Sequence, residues 1–105
     1  MDGVIYLVQQ TPERTPSGVW QRPSTARRIF CQVDSITRQE FFSAGRNGLN
    51  PEFTFTIFAG DYQGESVLLY QDKPYAIYRT YYVPDTDYLE LYVQREGGTN
   101  GQNAN

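Results

Sequence analysis

Across residues 51–95 apolar and polar side chains alternate with the period of β-structure, and few folds accommodate that over so long a stretch. Phe53, Phe55 and Ile57 alternate with Thr54, Thr56 and Phe58, which gives the segment two unlike faces. Val67-Leu68-Leu69-Tyr70 follows, then the polar turn Gln71-Asp72-Lys73, then the run at 74–82. A second turn at 83–87, containing Pro84, Asp85 and Asp87, leads into a strand that starts at Tyr88. Four strands joined by short turns predict an antiparallel meander. The rest of the chain must complete that sheet or decorate it.

Gly3-Val4-Ile5-Tyr6-Leu7-Val8-Gln9-Gln10 reads as a first strand. Residues 11–25 then carry Pro12, Pro16, Gly18 and Pro23, with Glu13, Arg14 and Arg22 among them. So many breakers exclude a helix or a central strand there. A connection of about 15 residues is uncommon in a compact domain and is often a functional arm or a disordered segment. Trp20, near its end, either folds back to anchor the loop or meets a partner, since Trp is enriched at interface cores. Next, Ile29, Cys31 and Val33 alternate with Arg28, Phe30 and Gln32, which predicts a second strand with Cys31 inward as a small buried hydrophobe.

Thr37-Arg38-Gln39-Glu40 has the spacing of a capping box, with Thr37 as N-cap and Glu40 reaching back to its amide. Phe41, Phe42 and Ala44 extend a short helix to a stop at Gly45. Arg46-Asn47-Gly48-Leu49-Asn50-Pro51 then reopens the chain into the next strand. A helix between two strands predicts a crossover rather than a hairpin. The expected fold is all-β: a small barrel of about six strands, with a long first loop and a short helix in the crossover between strands 2 and 3. One domain is expected over residues 1–96. Residues 97–105, rich in Gly and Asn, form a predicted flexible tail, because they have too little apolar surface to offset the entropy of ordering.

With 105 residues the chain allows a single modest core, and its nine tyrosines and six phenylalanines predict one built largely from rings. A net charge of −3 argues against a free-standing nucleic-acid binder. Histidine is absent, which removes the commonest general base, the commonest metal ligand and every nucleophile arrangement that depends on it. Carboxylate chemistry remains, yet Asp61-Tyr62-Gln63-Gly64-Glu65 and Asp85-Thr86-Asp87 read as turns rather than as a cation cage. No enzyme, cofactor or metal site is therefore expected. A single cysteine makes no intramolecular disulfide. No apolar run reaches the roughly 18 residues that span a bilayer, and the N-terminus lacks a signal-peptide layout. A soluble chain made in the cytoplasm, without a membrane partner, is the expectation. Arg79, flanked by Tyr78 and Tyr81, is predicted to stack on aromatic neighbours or to pair with Glu90 across a hairpin, with an intersubunit salt bridge as the second reading.

Several of these pieces carry a resemblance. Ser35-Ile36-Thr37-Arg38-Gln39-Glu40-Phe41-Phe42-Ser43-Ala44-Gly45, then Gly48-Leu49-Asn50-Pro51-Glu52, resemble the centre of the tailed-bacteriophage head–tail joining proteins, also called head closure or stopper proteins. The likeness continues in Asp61-Tyr62-Gln63-Gly64-Glu65, in Tyr75-Ala76-Ile77-Tyr78-Arg79-Thr80-Tyr81 and in Leu89-Glu90-Leu91-Tyr92, so it runs through residues 3–97 in order. It implies a small β-barrel with an inserted loop or short helix. It also implies a structural role, as subunits that self-assemble into a ring below the portal-bound adaptor protein and close the DNA-filled head. The ring would offer a docking face to a tail terminator or tail-completion protein, with packaged DNA held in the channel without sequence-specific binding. Its place would be the head–tail interface of the virion, after synthesis in the host cytoplasm.

By the same resemblance the inserted segment faces the ring interior, which makes Arg38, Phe42, Arg46, Asn47 and Asn50 the candidate channel or intersubunit contacts; Trp20 is a candidate partner contact on its residue type. Successive helical positions lie about 100° apart, so Phe41 and Phe42 cannot both face one core; one ring is expected to pack on the barrel and the other to stay free. The residues themselves leave a second reading open, a small β-barrel binding module for single-stranded nucleic acid or protein partners. Tyrosine abundance favours it, and the missing basic stripe opposes it.

Overall fold

A computed structural model describes the backbone of residues 1–10, 13–14, 20–21 and 24–95, and the side chains of residues 1–9 and 26–95. In chain order the elements are β1 (Asp2–Gln10), β2 (Glu13–Arg14), β3 (Trp20–Gln21), β4 (Ser24–Ser35), α1 (Arg38–Gly45), β5 (Pro51–Phe58), β6 (Val67–Tyr70), β7 (Lys73–Tyr82) and β8 (Tyr88–Arg95). Six of these strands close into an antiparallel barrel in the order β1-β4-β5-β8-β7-β6, with β6 returning to β1. The short β2 and β3 pair with each other inside the long first connection, placing Arg14 opposite Trp20. The all-β barrel, its six strands, the long first connection and the helix between the second and third barrel strands are all as the sequence predicts.

Alternation explains the core. Ile5 and Leu7, then Ile29, Cys31 and Val33, then Phe55 and Ile57, then Leu89, Leu91 and Val93 occupy every second position and point inward. Aromatic rings fill the end of the barrel nearest α1. Phe55 meets Tyr70 with ring centroids 5.0 Å apart, and Phe53 meets Tyr70 at 5.4 Å and Tyr75 at 5.8 Å, all edge to face. Gly3 is required where β1 passes this layer, since a Cβ there would sit 2.6 Å from Val33 Cγ2. Burial also pushes the Cys31 thiol up to about 11, with the Asp2 carboxylate adding to the shift.

Two expectations about connectivity are corrected. The four downstream strands are not a simple meander, because β5 pairs with β4 and β8 and never with β6. β6 lies between β1 and β7 instead. The link at 59–66 is thus the crossover, and it carries a 3-10 turn at Ala59–Asp61. Conversely, β4 and β5 are antiparallel neighbours, with Ser35 opposite Phe53, so α1 lies in an enlarged hairpin connection.

A half-buried ion pair pins the crossover to β4. Arg27 Nη2 donates to Glu65 Oε2 at 2.6 Å and to the Asp61 carbonyl at 2.7 Å. The other Glu65 oxygen accepts from the Gln63 amide at 2.8 Å, and the Tyr62 hydroxyl donates to the Glu65 carbonyl at 2.7 Å. Glu65 is 4% exposed. Burial alone would raise its carboxyl pKa, but the Arg27 guanidinium and the backbone amides outweigh burial and hold it below the ordinary value. The acidic turn at 61–65 therefore spends its glutamate on architecture. Among the described residues no group of His, Cys, Asp and Glu is arranged to hold a metal ion, and no helix is long and apolar enough to cross a membrane. The predicted tail at 97–105 and the domain boundary at 96 lie outside the described residues.

Candidate functional site

α1 forms because its ends are satisfied locally. Thr37, extended at φ −71° and ψ 157°, accepts the Glu40 amide on Oγ1 at 3.1 Å. At the other end the Arg46 amide donates to Phe42 O, and the Leu49 amide donates to Ala44 O at 3.0 Å. Gly48 takes φ +79° to turn the chain back toward β5, a conformation that favours glycine. The Asn50 amide then donates to Gln94 Oε1 at 2.8 Å and fixes the re-entry point.

Only one helical side chain, Ala44, is buried. The second attachment is polar. Glu40 does not reach back to the N-cap amide as a full capping box would; it faces the barrel and accepts from Tyr78 Oη at 2.7 Å and from Arg79 Nη2 at 2.6 Å. The Arg79 guanidinium carbon also lies 3.9 Å from the centre of the Tyr92 ring. Stacking is thus as predicted for Arg79, but its carboxylate partner is Glu40, while Glu90 accepts from Tyr92 Oη at 2.7 Å.

Electrostatics in this clamp is cooperative. Burial, then the hydrogen bond to Glu40, raises the Tyr78 pKa. Burial and the bond to Glu90 push Tyr92 up to about 12. Burial works against the Arg79 charge, yet Glu40 outweighs it and the Arg79 pKa rises. All three groups stay in their neutral-pH protonation states.

Glu40 and Ala44 are one turn apart and define the face turned to the barrel. Phe41 and Phe42 then lie about 100° and 200° around the helix from Glu40, so both rings turn away. The expectation that one of them packs on the barrel is corrected: Phe41 is 53% exposed and Phe42 56%. They pack on each other, edge to face at 5.7 Å. Arg38, Arg46, Asn47 and Asn50 are also exposed, with Asn47 Nδ2 donating to Ser43 O at 3.2 Å. The predicted contact residues are therefore gathered on one projecting helix and its exit loop. Neither Arg38 nor Arg46 forms an ion pair with a described carboxylate. The Trp20 side chain lies outside the described residues. Sequence reasoning missed Glu40 as an anchor, because its partners are distant in sequence and only the fold brings them together.

A second exposed aromatic group lies at the far end of the barrel. Phe58 stands opposite Tyr88 in register and is 52% exposed, and Phe30 is 72% exposed beneath the Arg28 guanidinium. These residues border a cleft of about 770 Å³ where β4 and β5 part. The chain matches no protein-family model and no curated protein.

Proposed function

We propose that this chain is a structural subunit of a tailed-bacteriophage head–tail connector, located at the head–tail interface of the virion. In this reading copies assemble in a ring below the portal-bound adaptor, close the DNA-filled head, and present a face to a tail terminator or tail-completion protein. The observation that carries it is α1, an exposed Phe41–Phe42 pair flanked by Arg38 and Arg46 and held by Glu40 against a rigid barrel. Contiguous exposed aromatics with arginine are the composition of an interface core rather than of a solvated surface. The resemblance of residues 3–97 to head closure proteins supplies the setting. The test is removal of the gene from the phage or prophage genome that carries it. The expected result is separate tails and heads that lose DNA, restored by the chain supplied in trans; joined, infectious particles without the chain would overturn the reading.

A second reading, a module that stacks single-stranded nucleic acid, is favoured by the exposed Phe30, Phe58 and Tyr88. The net charge of −3 opposes it. A salt titration of oligonucleotide binding separates the two, since true phosphate contacts weaken steeply as salt rises.

A further inference from the structure

We infer that α1 of one copy docks on the Asp85–Asp87 end of the barrel in a second copy, giving a directional head-to-tail contact. The inference rests on the connector reading only in using the same helix, and it names that helix's partner. The outward face of α1 is cationic and aromatic. Its single carboxylate, Glu40, is engaged by Arg79 and Tyr78, which leaves Arg38 and Arg46 beside Phe41 and Phe42.

The complementary surface exists on the same molecule. The turn between β7 and β8 carries Asp85 and Asp87, and neither makes an ion pair among the described residues. Around it stand Tyr82, 66% exposed, Tyr88, 53%, and Phe58. Asp61 and Arg28 border the adjoining cleft with Phe58 and Tyr88, so the local balance remains negative. Arg27 and Glu65 cancel each other.

The two surfaces do not pair within one chain, since neither Arg38 nor Arg46 makes an ion pair with Asp85 or Asp87. α1 leads into the start of β5 at Pro51, whereas Phe58, at the other end of β5, pairs with Tyr88 beside the acidic turn. α1 is held at the level of Arg79 and Tyr92, and Tyr82 and Tyr88 lie three and four residues further along β7 and β8, roughly 10–13 Å along the strands. Opposite charges and aromatic groups on two different patches of one body make a heterologous contact, which closes into a ring or runs on as a filament. Exposed ion pairs steer such a contact more than they tighten it, so association of the isolated chain is expected to be weak and salt-sensitive.

The test uses two neutralised variants of the full chain. R38Q/R46Q removes the helix charges and keeps the acidic end. D85N/D87N does the reverse, and Asn tolerates the φ of +61° at position 85. Sedimentation at low ionic strength should show wild type associating with concentration, and each variant alone associating roughly tenfold more weakly, the combined value of two exposed pairs. An equimolar mixture should stop at a one-to-one heterodimer, because each variant retains the end the other lacks. Variants that associate like wild type, or a mixture no larger than either variant alone, would overturn the inference. Wild-type association that is unchanged by about 0.5 M salt would overturn it too, independently of how the variants fold. Infectivity plays no part in the readout, so failure here leaves the connector reading to its own test.

Discussion

Glu40 on α1 and Arg79 on β7 are 39 residues apart in sequence, yet their side chains meet at 2.6 Å and tie the projecting helix to the barrel. Arg79 is in turn braced by the Tyr92 ring, and Tyr78 takes the second Glu40 oxygen. Ala44 is too small to hold a helix of eight residues by apolar burial alone, and so short a helix is marginal in isolation. The clamp therefore sets how firmly α1 is presented.

Replacing Glu40 should loosen the helix without unfolding the barrel. Glu40→Gln is expected to speed amide exchange across Arg38–Gly45 while β5 and β8 keep their protection. A double-mutant cycle of Glu40→Ala with Arg79→Ala should return a coupling of about 1 kcal/mol, since Arg79 is 44% exposed and solvent screens the pair. Unchanged exchange in the helix would show that Ala44 alone suffices.

The two helix phenylalanines are expected to matter little for stability. Phe41→Ser and Phe42→Ser should each change the unfolding free energy by less than about 0.5 kcal/mol. Phe55→Ala, at 0% exposure in the core, should cost about 3–5 kcal/mol. Denaturant midpoints measure all three. A large loss at Phe42 would mean that its ring is packed.

Acid should act on the crossover through Glu65. Its pKa is lower in the folded chain than the ordinary value of 4.5, so the unfolded chain binds more protons in the acid range. The Arg27–Glu65 contribution is therefore fully present above that ordinary value and is lost as pH falls through the lower folded pKa. Glu65→Gln is expected to destabilise the fold by about 2–3 kcal/mol near neutrality, by leaving Arg27 without its counter-charge. The gap between wild type and variant should shrink on acidification. A constant gap across the titration would contradict the assignment.

Cys31 should behave as a core residue. With its thiol pushed up to about 11 and its side chain inside β4, alkylation is expected to be slow in the native protein and fast in denaturant. Equal rates in the two states would place Cys31 on the outer face.

Much of this fold is legible in the sequence because strand alternation is a local signal. Ile29-Phe30-Cys31-Gln32-Val33 and Phe53-Thr54-Phe55-Thr56-Ile57 each declare an inward face, and Thr37 declares the helix start. Connectivity is less legible. A helix between strands ordinarily marks a crossover, yet β4 and β5 pair directly, and the real crossover at 59–66 has the composition of a hairpin turn. The site was legible as a segment rather than as a mechanism. Arg38, Phe42, Arg46, Asn47 and Asn50 cluster because they are close in sequence, whereas Glu40, Tyr78, Arg79 and Tyr92 meet only when the barrel closes. Phe41 and Phe42 are exposed because the inward face belongs to Glu40 and Ala44, which only the packed helix reveals.

The most direct measurement is complementation of a phage or prophage lacking this gene with the chain bearing Phe41→Ser and Phe42→Ser, scored by DNA-filled heads joined to tails. These substitutions leave the barrel core untouched, so a folded variant isolates the exposed face of α1. The expected result is a stable protein, unjoined or leaking heads, and infectious titres well below those given by the unaltered chain. Wild-type numbers of filled, tailed particles from the folded variant would contradict it.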